Sequence, residues 1–327
     1  MKYRRLGKSN IEVSEISLGC WTMGGRNWSN GVSNGWADVD ENEVATAINY
    51  ALEKGVNHFD NADVYGNGKA ERMLARILSN RTKDVIIATK VGWFQGTAEH
   101  AYDPIHIRHQ CEQSLKNLNR DYIDIYYFHH GHFGDRDEYL DDAVEVMYKL
   151  KDEGKIRIIG QSAYSNEDFV KLIPKVKPEV LQSFANSMDD RFIADNQPVR
   201  KMMEEYNISF VAFSPVAKGL LLNKYNSKQP PTFDEGDHRK NDTKFHQDFI
   251  KQIEPKLEML KNKFGSSTES LSRAALQYLL HFHVVGSVIP GFRNLEQVKI
   301  NLSEADKPLT DDEFEFIKNV FRDMQKY

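Results

Sequence analysis

The chain has 327 residues, 40% of them hydrophobic and 28% charged, which is enough apolar matter to fill a large core without a disulfide or metal staple. A net charge of −5 with no basic run argues against nucleic acid as the main partner. Cys20 and Cys111 lie far apart and suit a reducing compartment, MKYRRLGKSN lacks an apolar run behind its charges, and no stretch is apolar enough to span a membrane; the expected location is cytoplasmic.

Short apolar runs cover residues 15–20, 56–60, 84–91, 122–129, 155–162, 179–184, 208–214 and 284–291. Several are rich in Val, Ile, Phe and Tyr, as buried parallel strands are. Helical patterns fall between them. Residues 41–55 set Val44, Ile48 and Leu52 on one face and close on Gly55; 106–118 and 139–154 behave alike; 165–174 opens with a Ser or Asn cap and acidic residues. Eight strands, each followed by helical material, predict an α/β fold: a (β/α)8 TIM barrel, one domain over 1–327. The first 14 residues precede this beat and hold the turn signal GKSN, so they predict an N-terminal β-hairpin. A stretch rich in Pro, Gly, Asp and Asn at about 225–247 predicts a long loop after strand 7 and a candidate lid, and 311–324 predicts a C-terminal extra helix. A doubly wound sheet competes, but no GxGxxG follows the first strand.

Barrel chemistry sits where strands end and βα loops begin. Asp60 ends strand 2, Tyr65 follows it in DNADVYGNGKAE, Lys90 ends strand 3, and His129 ends strand 4. Alone, the Asp reads as a helix cap and the Tyr as packing, while a buried Lys needs a partner. Together they make a set. A free phenol has a pKa of about 10, an adjacent ammonium lowers it, a carboxylate fixes that ammonium, and an imidazole can hydrogen-bond a carbonyl oxygen. The expected outcome is a tyrosine that donates a proton to a developing alkoxide, which is half of a carbonyl reduction.

At these residues the chain resembles the aldo-keto reductases. The likeness runs through YRRLGKSNIEVSEISLG, DNADVYGNGKAE, IIATK, DYIDIYYFH, SFVAFSPVAKGLL and VIPGFRNLEQVKINL, in order and along nearly the whole chain. It implies an NAD(P)H-dependent carbonyl reductase whose catalytic tetrad is Asp60, Tyr65, Lys90 and His129. It also implies that Phe213 stacks on the nicotinamide, that Gln182 and Ser162 meet its carboxamide, and that Ser214 with Lys218 and Gly219 meets the pyrophosphate. Gln297 and Asn301 belong to the adenosine end, and Trp21 lines both cofactor and substrate. Two positions depart from the common pattern. Ala163 follows Ser162 where many members have Asn, and Gly291 stands where many have Lys, so Arg293 becomes the expected cation for a 2′-phosphate. NADPH is therefore expected over NADH, which stays possible.

Trp21, Trp93, Phe94 and His130 or Phe133 are expected to wall the substrate pocket, a small-molecule carbonyl site with an aromatic lining. Asp237, His238 and Arg239 in the long loop either fold over the cofactor or stay at the surface. Two rivals remain. One is a NADP(H)-binding regulatory or sensor subunit of the same fold. The other is a metal-dependent hydrolase, suggested by His129, His130 and His132. The metal reading is disfavoured, because His129 and His130 point to opposite faces of a strand and the other strand ends offer Lys90, Gln182 and Phe213. No metal is expected. Aldehydes, ketones and quinones all remain open as substrates.

Overall fold

The computed structural model describes residues 1–29 and 31–325. Strands β1 (Tyr3–Arg5) and β2 (Glu12–Ser14) pair antiparallel as the predicted hairpin. Then comes β3 (Leu18–Gly19), the first barrel strand, followed by a small antiparallel pair, β4 (Trp28–Ser29) and β5 (Val32–Ser33). The other barrel strands are β6 (His58–Asp60), β7 (Ile86–Val91), β8 (Ile123–Phe128), β9 (Ile156–Ser162), β10 (Val180–Phe184), β11 (Ser209–Phe213) and β12 (Val285–Ile289). All run parallel, in the order β3-β6-β7-β8-β9-β10-β11-β12. The barrel closes through parallel bridges from Ile16 to Val288 and from Gly19 to Gly291, and the Ser17 amide donates to Val288 O at 2.9 Å.

Outside the strands lie α1 (Glu41–Glu53), α2 (Lys69–Leu78), α3 (Pro104–Leu118), α4 (Leu140–Asp152), α5 (Asn166–Val176) and α6 (Pro198–Tyr206). They continue with α7 (Gln247–Phe264), α8 (Thr268–Leu280), α9 (Leu295–Leu302) and α10 (Asp311–Phe321), the predicted extra helix. Their starts are chemically fixed. Asp40 caps α1, Asp103 caps α3, Ser165 caps α5, and Thr310 with Glu313 forms a capping box on α10.

Two cores result. The larger lies between strands and helices. The smaller fills the barrel interior, where Leu6, Ile11 and Val13 of the hairpin pack with Ala88, Ile125, Tyr127, Ile158 and Val211. The hairpin thus plugs the amino-terminal floor, leaving the opposite rim open for chemistry. Tyr127 reaches across the interior only because residue 160 is Gly; a Cβ there would collide with its ring. The long loop after β11 is more ordered than its composition suggests. It carries 3-10 turns at His238–Asn241 and Thr243–Phe245, and two helices rather than one, α7 and α8, stand between it and β12.

Candidate active site

Three adjacent strands set the four candidate side chains on one rim. Past the end of β6, Asn61 N donates to Ala88 O at 2.8 Å and Asp63 N to Lys90 O at 3.3 Å, so the ladder continues into the loop. The chain then turns back, and Gly66, at φ 60°, lies so close to Gly24 that a Cβ would strike its backbone. This turn brings Tyr65 over Lys90.

The Lys90 ammonium is fully buried and all three of its donors are used. It bonds Asp60 Oδ2 at 2.6 Å, Asn61 O at 2.6 Å and the Tyr65 hydroxyl oxygen at 3.3 Å. The other oxygen of Asp60 accepts from Gln182 Nε2 at 2.7 Å. Buried charge is costly unless paired, and here each charge has a partner. Tyr65 accepts from Lys90, which leaves its own O–H free to donate elsewhere. The His129 ring stands edge-on to Tyr65, centroids 6.0 Å apart, and its Nδ1 is buried without a hydrogen-bond partner. The backbone of His129 is pinned by its N–H to Val91 O at 2.9 Å.

The charge states correct one expectation. Burial, and then the Asp60 carboxylate, holds the Tyr65 phenol well above the ordinary tyrosine value, against the lowering expected from Lys90. Tyr65 therefore keeps its proton at neutral pH. Burial, followed by the charge of Lys90, holds His129 well below the ordinary histidine value, so its imidazole is neutral. It can donate one hydrogen bond without carrying charge.

One cleft joins these groups to the residues expected at the cofactor. Asp60, Tyr65 and His129 line it, as do Trp21, Ser162, Gln182, Phe213 and Ser214. So do Lys218, Gly219, Gly291, Arg293, Gln297 and Asn301 farther along. Ser162 faces Gln182 across the β9–β10 pairing, and its Oγ is buried without a partner. Ser214, Ala217 and Lys218 all hold positive φ, at 55°, 47° and 57°, a strained run of the sort found where backbone curls around a ligand. Arg293 keeps Nη1 buried with no partner, and its amide is braced by Gln297 Oε1 at 2.8 Å. Asn301 accepts from Ser272 Oγ at 3.4 Å. Lys218 is not free: it pairs with Asp242 of the long loop at 2.8 Å.

Comparison with known proteins places this arrangement. The profile of the Aldo/keto reductase family matches residues 15–322. The chain belongs to the aldo-keto reductase family. An uncharacterized oxidoreductase of Bacillus subtilis, YqkF, is 30% identical over 98% of this chain and 96% of its own. A probable voltage-gated potassium channel subunit beta of Arabidopsis thaliana is 26% identical over 94% and 92%. The holo structure of aldo-keto reductase AKR11C1 from Bacillus halodurans superposes with a TM-score of 0.73, at 28% identity over 98% and 96%.

In this aldo-keto reductase the expected substrate wall divides. Trp21 and Trp93 line the cleft, whereas Phe94 and His130 face a neighbouring depression. Phe133 lines neither; it is fully buried, stacked on Tyr102 at 4.3 Å. The three clustered histidines separate. His130 Nε2 bonds Gly92 O at 3.0 Å, its Nδ1 accepts from the His132 amide at 3.2 Å, and burial pushes it down to about 4. Among the described residues no group of three or more His, Cys, Asp or Glu is set to hold a metal.

Several lining residues escaped the sequence reading. Trp36, Asn27, Asn34, Tyr164 and Lys224 come from loops with no periodicity to place them. Tyr164 alone had a signal, since it stands two positions beyond Ser162. The long loop crosses the mouth: His238 N donates to Gly35 O at 3.0 Å, and its ring lies 4.3 Å from Trp21 and 4.4 Å from Trp36. Arg239 is clamped by both oxygens of Asp237, at 3.0 and 2.6 Å, and covers Trp36.

Proposed function

We propose that this protein reduces an aldehyde or ketone to an alcohol with NADPH, with Tyr65 as the general acid. The observation that carries this reading is the saturated Lys90 ammonium, which leaves the protonated phenol of Tyr65 with one proton to give. The residues present fit a phosphorylated dinucleotide. Ser162 Oγ and Arg293 Nη1 are buried without partners, and Lys224 is lowered by burial and then by Arg293 and Arg239; with Arg239 held by Asp237, Lys224 and Arg293 are the two cations left to meet a ligand at that end of the cleft. Such a cluster suits the 2′-phosphate and favours NADPH over NADH. Ala163 carries no amide, so Ser162 and Gln182 alone would meet the carboxamide, with Phe213 against the ring. Ser214, Lys218, Gly219 and Gly291 would flank the phosphates, and Gln297 and Asn301 the adenosine.

NADPH, when bound, supplies the hydride. The chain supplies the rest. His129 and Tyr65 hold the carbonyl oxygen, Tyr65 delivers the proton, and Lys90, fixed by Asp60 and Asn61, stabilises the tyrosinate left behind. Both cysteines are free and buried, which suits a cytoplasmic setting. No helix among the described residues is long and apolar enough to cross a membrane.

The Arabidopsis relative, named as a probable channel subunit, motivates a second reading: a NADP(H)-binding regulatory subunit with little turnover. One experiment separates the two. NADPH oxidation is followed against a panel of simple aldehydes, ketones and quinones, in wild type and Tyr65→Phe. Turnover should fall by about 10²–10⁴-fold in the variant while NADPH binding persists. Binding with no turnover of any carbonyl in wild type would favour the regulatory reading.

A further inference from the structure

The turn that carries Tyr65 is held shut by a residue the mechanism does not use. Asp63 gives both of its backbone groups to that turn: its amide donates to Lys90 O at 3.3 Å, and its carbonyl accepts from Gly68 N at 2.7 Å. Between these bonds Gly66, Asn67 and Gly68 all hold positive φ, at 60°, 51° and 76°. Left-handed backbone is free to glycine but strains Asn67, so the turn persists only where its surroundings impose it. It has no slack against α3 either, since a Cβ on Gly68 would strike the Asn117 amide. A shift of Asp63 therefore reaches Tyr65, whose own amide donates to Ala62 O at 3.1 Å.

The Asp63 side chain is buried near Glu71 of α2, yet the two carboxyls are provided for differently. Glu71 accepts from Thr89 Oγ1 at 2.6 Å and from Asn117 Nδ2 at 2.8 Å, which suits a carboxylate; burial raises it, and these donors oppose the rise. Neither oxygen of Asp63 has a hydrogen-bond partner among the described residues. The cations on neighbouring elements are turned elsewhere. Lys90 of β7 serves Asp60, Asn61 O and Tyr65, and Arg72 of α2 serves Asn67 O and Asn117 Oδ1. The other titratable groups of this pocket are neutral: burial holds the phenols of Tyr102 and Tyr126 well above the ordinary tyrosine value and pushes the Cys111 thiol up to about 12. Burial, and then the charge of Glu71, holds the Asp63 carboxyl well above the ordinary aspartate value.

We propose that Asp63 is a positioning residue for Tyr65: as an uncharged carboxylic acid it keeps the turn closed over Lys90, and a charge on it opens the turn. A carboxylate formed there would stand without donors, in a buried pocket, near the charge of Glu71. Relief comes from moving that side chain towards water, and the backbone bonds that seat Tyr65 move with it. The sign follows from the raised value of the folded state. The uncharged form prevails on the acid side, and closure is lost as the pH rises through that value. Tyr65 is itself held well above the ordinary tyrosine value, so a loss of activity at lower pH than that belongs to the turn rather than to the phenol. The kinetic consequence rests on the carbonyl-reductase reading of the cleft; the opening of the turn does not.

Hydrogen exchange followed by mass spectrometry reads the turn without substrate. Corrected for intrinsic exchange, the amides of Tyr65, Asn67, Gly68 and Ala70 in wild type should lose protection by at least about tenfold between about pH 7 and about pH 9.5, while those of β8 keep theirs. Asp63→Asn removes the charge and keeps the shape, so its protection should stay level over the same range. Asp63→Ala cannot ionise either, and it gives the same reading if the new amide disturbs the pocket. Reduction of propanal by NADPH should follow the turn: kcat should fall by about tenfold per pH unit on the alkaline side in wild type, and this fall should be absent from both variants. Protection that stays level in wild type, or that falls alike in wild type and both variants, overturns the proposal even if propanal is reduced. An alkaline opening that both variants abolish, in a protein that reduces no carbonyl, would instead sink the reductase reading and leave the role of Asp63 in the turn standing.

Discussion

The Nζ of Lys90 lies 3.3 Å from the hydroxyl oxygen of Tyr65 and is held there by Asp60 Oδ2 and Asn61 O. The ammonium cannot turn away, and the phenol oxygen is committed as its acceptor. With its oxygen accepting from Lys90, the Tyr65 hydroxyl keeps its own hydrogen for another acceptor.

Replacing Lys90 by Met keeps most of the bulk and removes the charge. Turnover should fall by about 10²–10⁴-fold, since the tyrosinate formed on proton transfer loses its partner. Steady-state kinetics beside a fluorescence titration with NADPH checks this, and affinity for the cofactor should change little.

Arg293→Ala should weaken NADPH binding by about tenfold or more and leave NADH binding nearly unchanged, because a guanidinium on a phosphate is a strong, charge-assisted contact. Calorimetry with both cofactors decides it. Equal affinity for NADPH in wild type and variant would remove Arg293 from the phosphate site.

Lys218, in the short turn at Ala217–Leu222 that follows β11, is tied to Asp242 of the long loop at 2.8 Å. If the long loop holds the cofactor in place, Asp242→Asn should speed NADPH release several-fold, as loss of a partly buried ion pair at a closing loop would. Stopped-flow displacement measures the rate, and an unchanged rate would mean that the tie serves the loop alone.

His58 is buried in the barrel, with Nδ1 3.1 Å from Ser17 Oγ, and burial pushes it down to about 4. Unfolded, it takes a proton near 6.5. Between these values the unfolded chain binds more protons, so the contribution of His58 to stability is present above 6.5 and lost as the pH falls towards 4. Urea midpoints at pH 7, 5.5 and 4.5 should drop more steeply for wild type than for His58→Asn. Parallel lines for the two proteins would contradict the assignment.

Gly160→Ala adds a methyl where the Tyr127 ring already stands. Overpacking of this kind costs about 1–3 kcal/mol. Denaturant unfolding should report that loss, and Gly160→Ala combined with Tyr127→Phe should recover little of it, because the collision is with the ring rather than the hydroxyl.

The eight strand runs, the hairpin, the C-terminal helix and the rim positions of Asp60, Lys90 and His129 were all legible in the sequence. Strand alternation with amphipathic helices is a local pattern, and strand ends mark the rim in any such barrel. Phe133 and Phe94 stand away from the cleft for a local reason too: an aromatic in a loop reads the same whether it turns to the core, as Phe133 does, to the cleft, or to the depression beside it, as Phe94 does. Trp36, Tyr164 and Lys224 were missed because their loops carry no period.

What the sequence by itself determined was therefore the order of elements, the rim and the chemical types gathered there. Only the tertiary structure decided how they act. Burial, a property of the packed whole, keeps Tyr65 protonated and His129 neutral, against the lowering expected for Tyr65 from its neighbour's charge alone. Folding likewise carries the long loop back to Gly35 and sets a depression beside the aromatic cleft. Both depend on contacts between residues far apart in the chain, which no local pattern encodes.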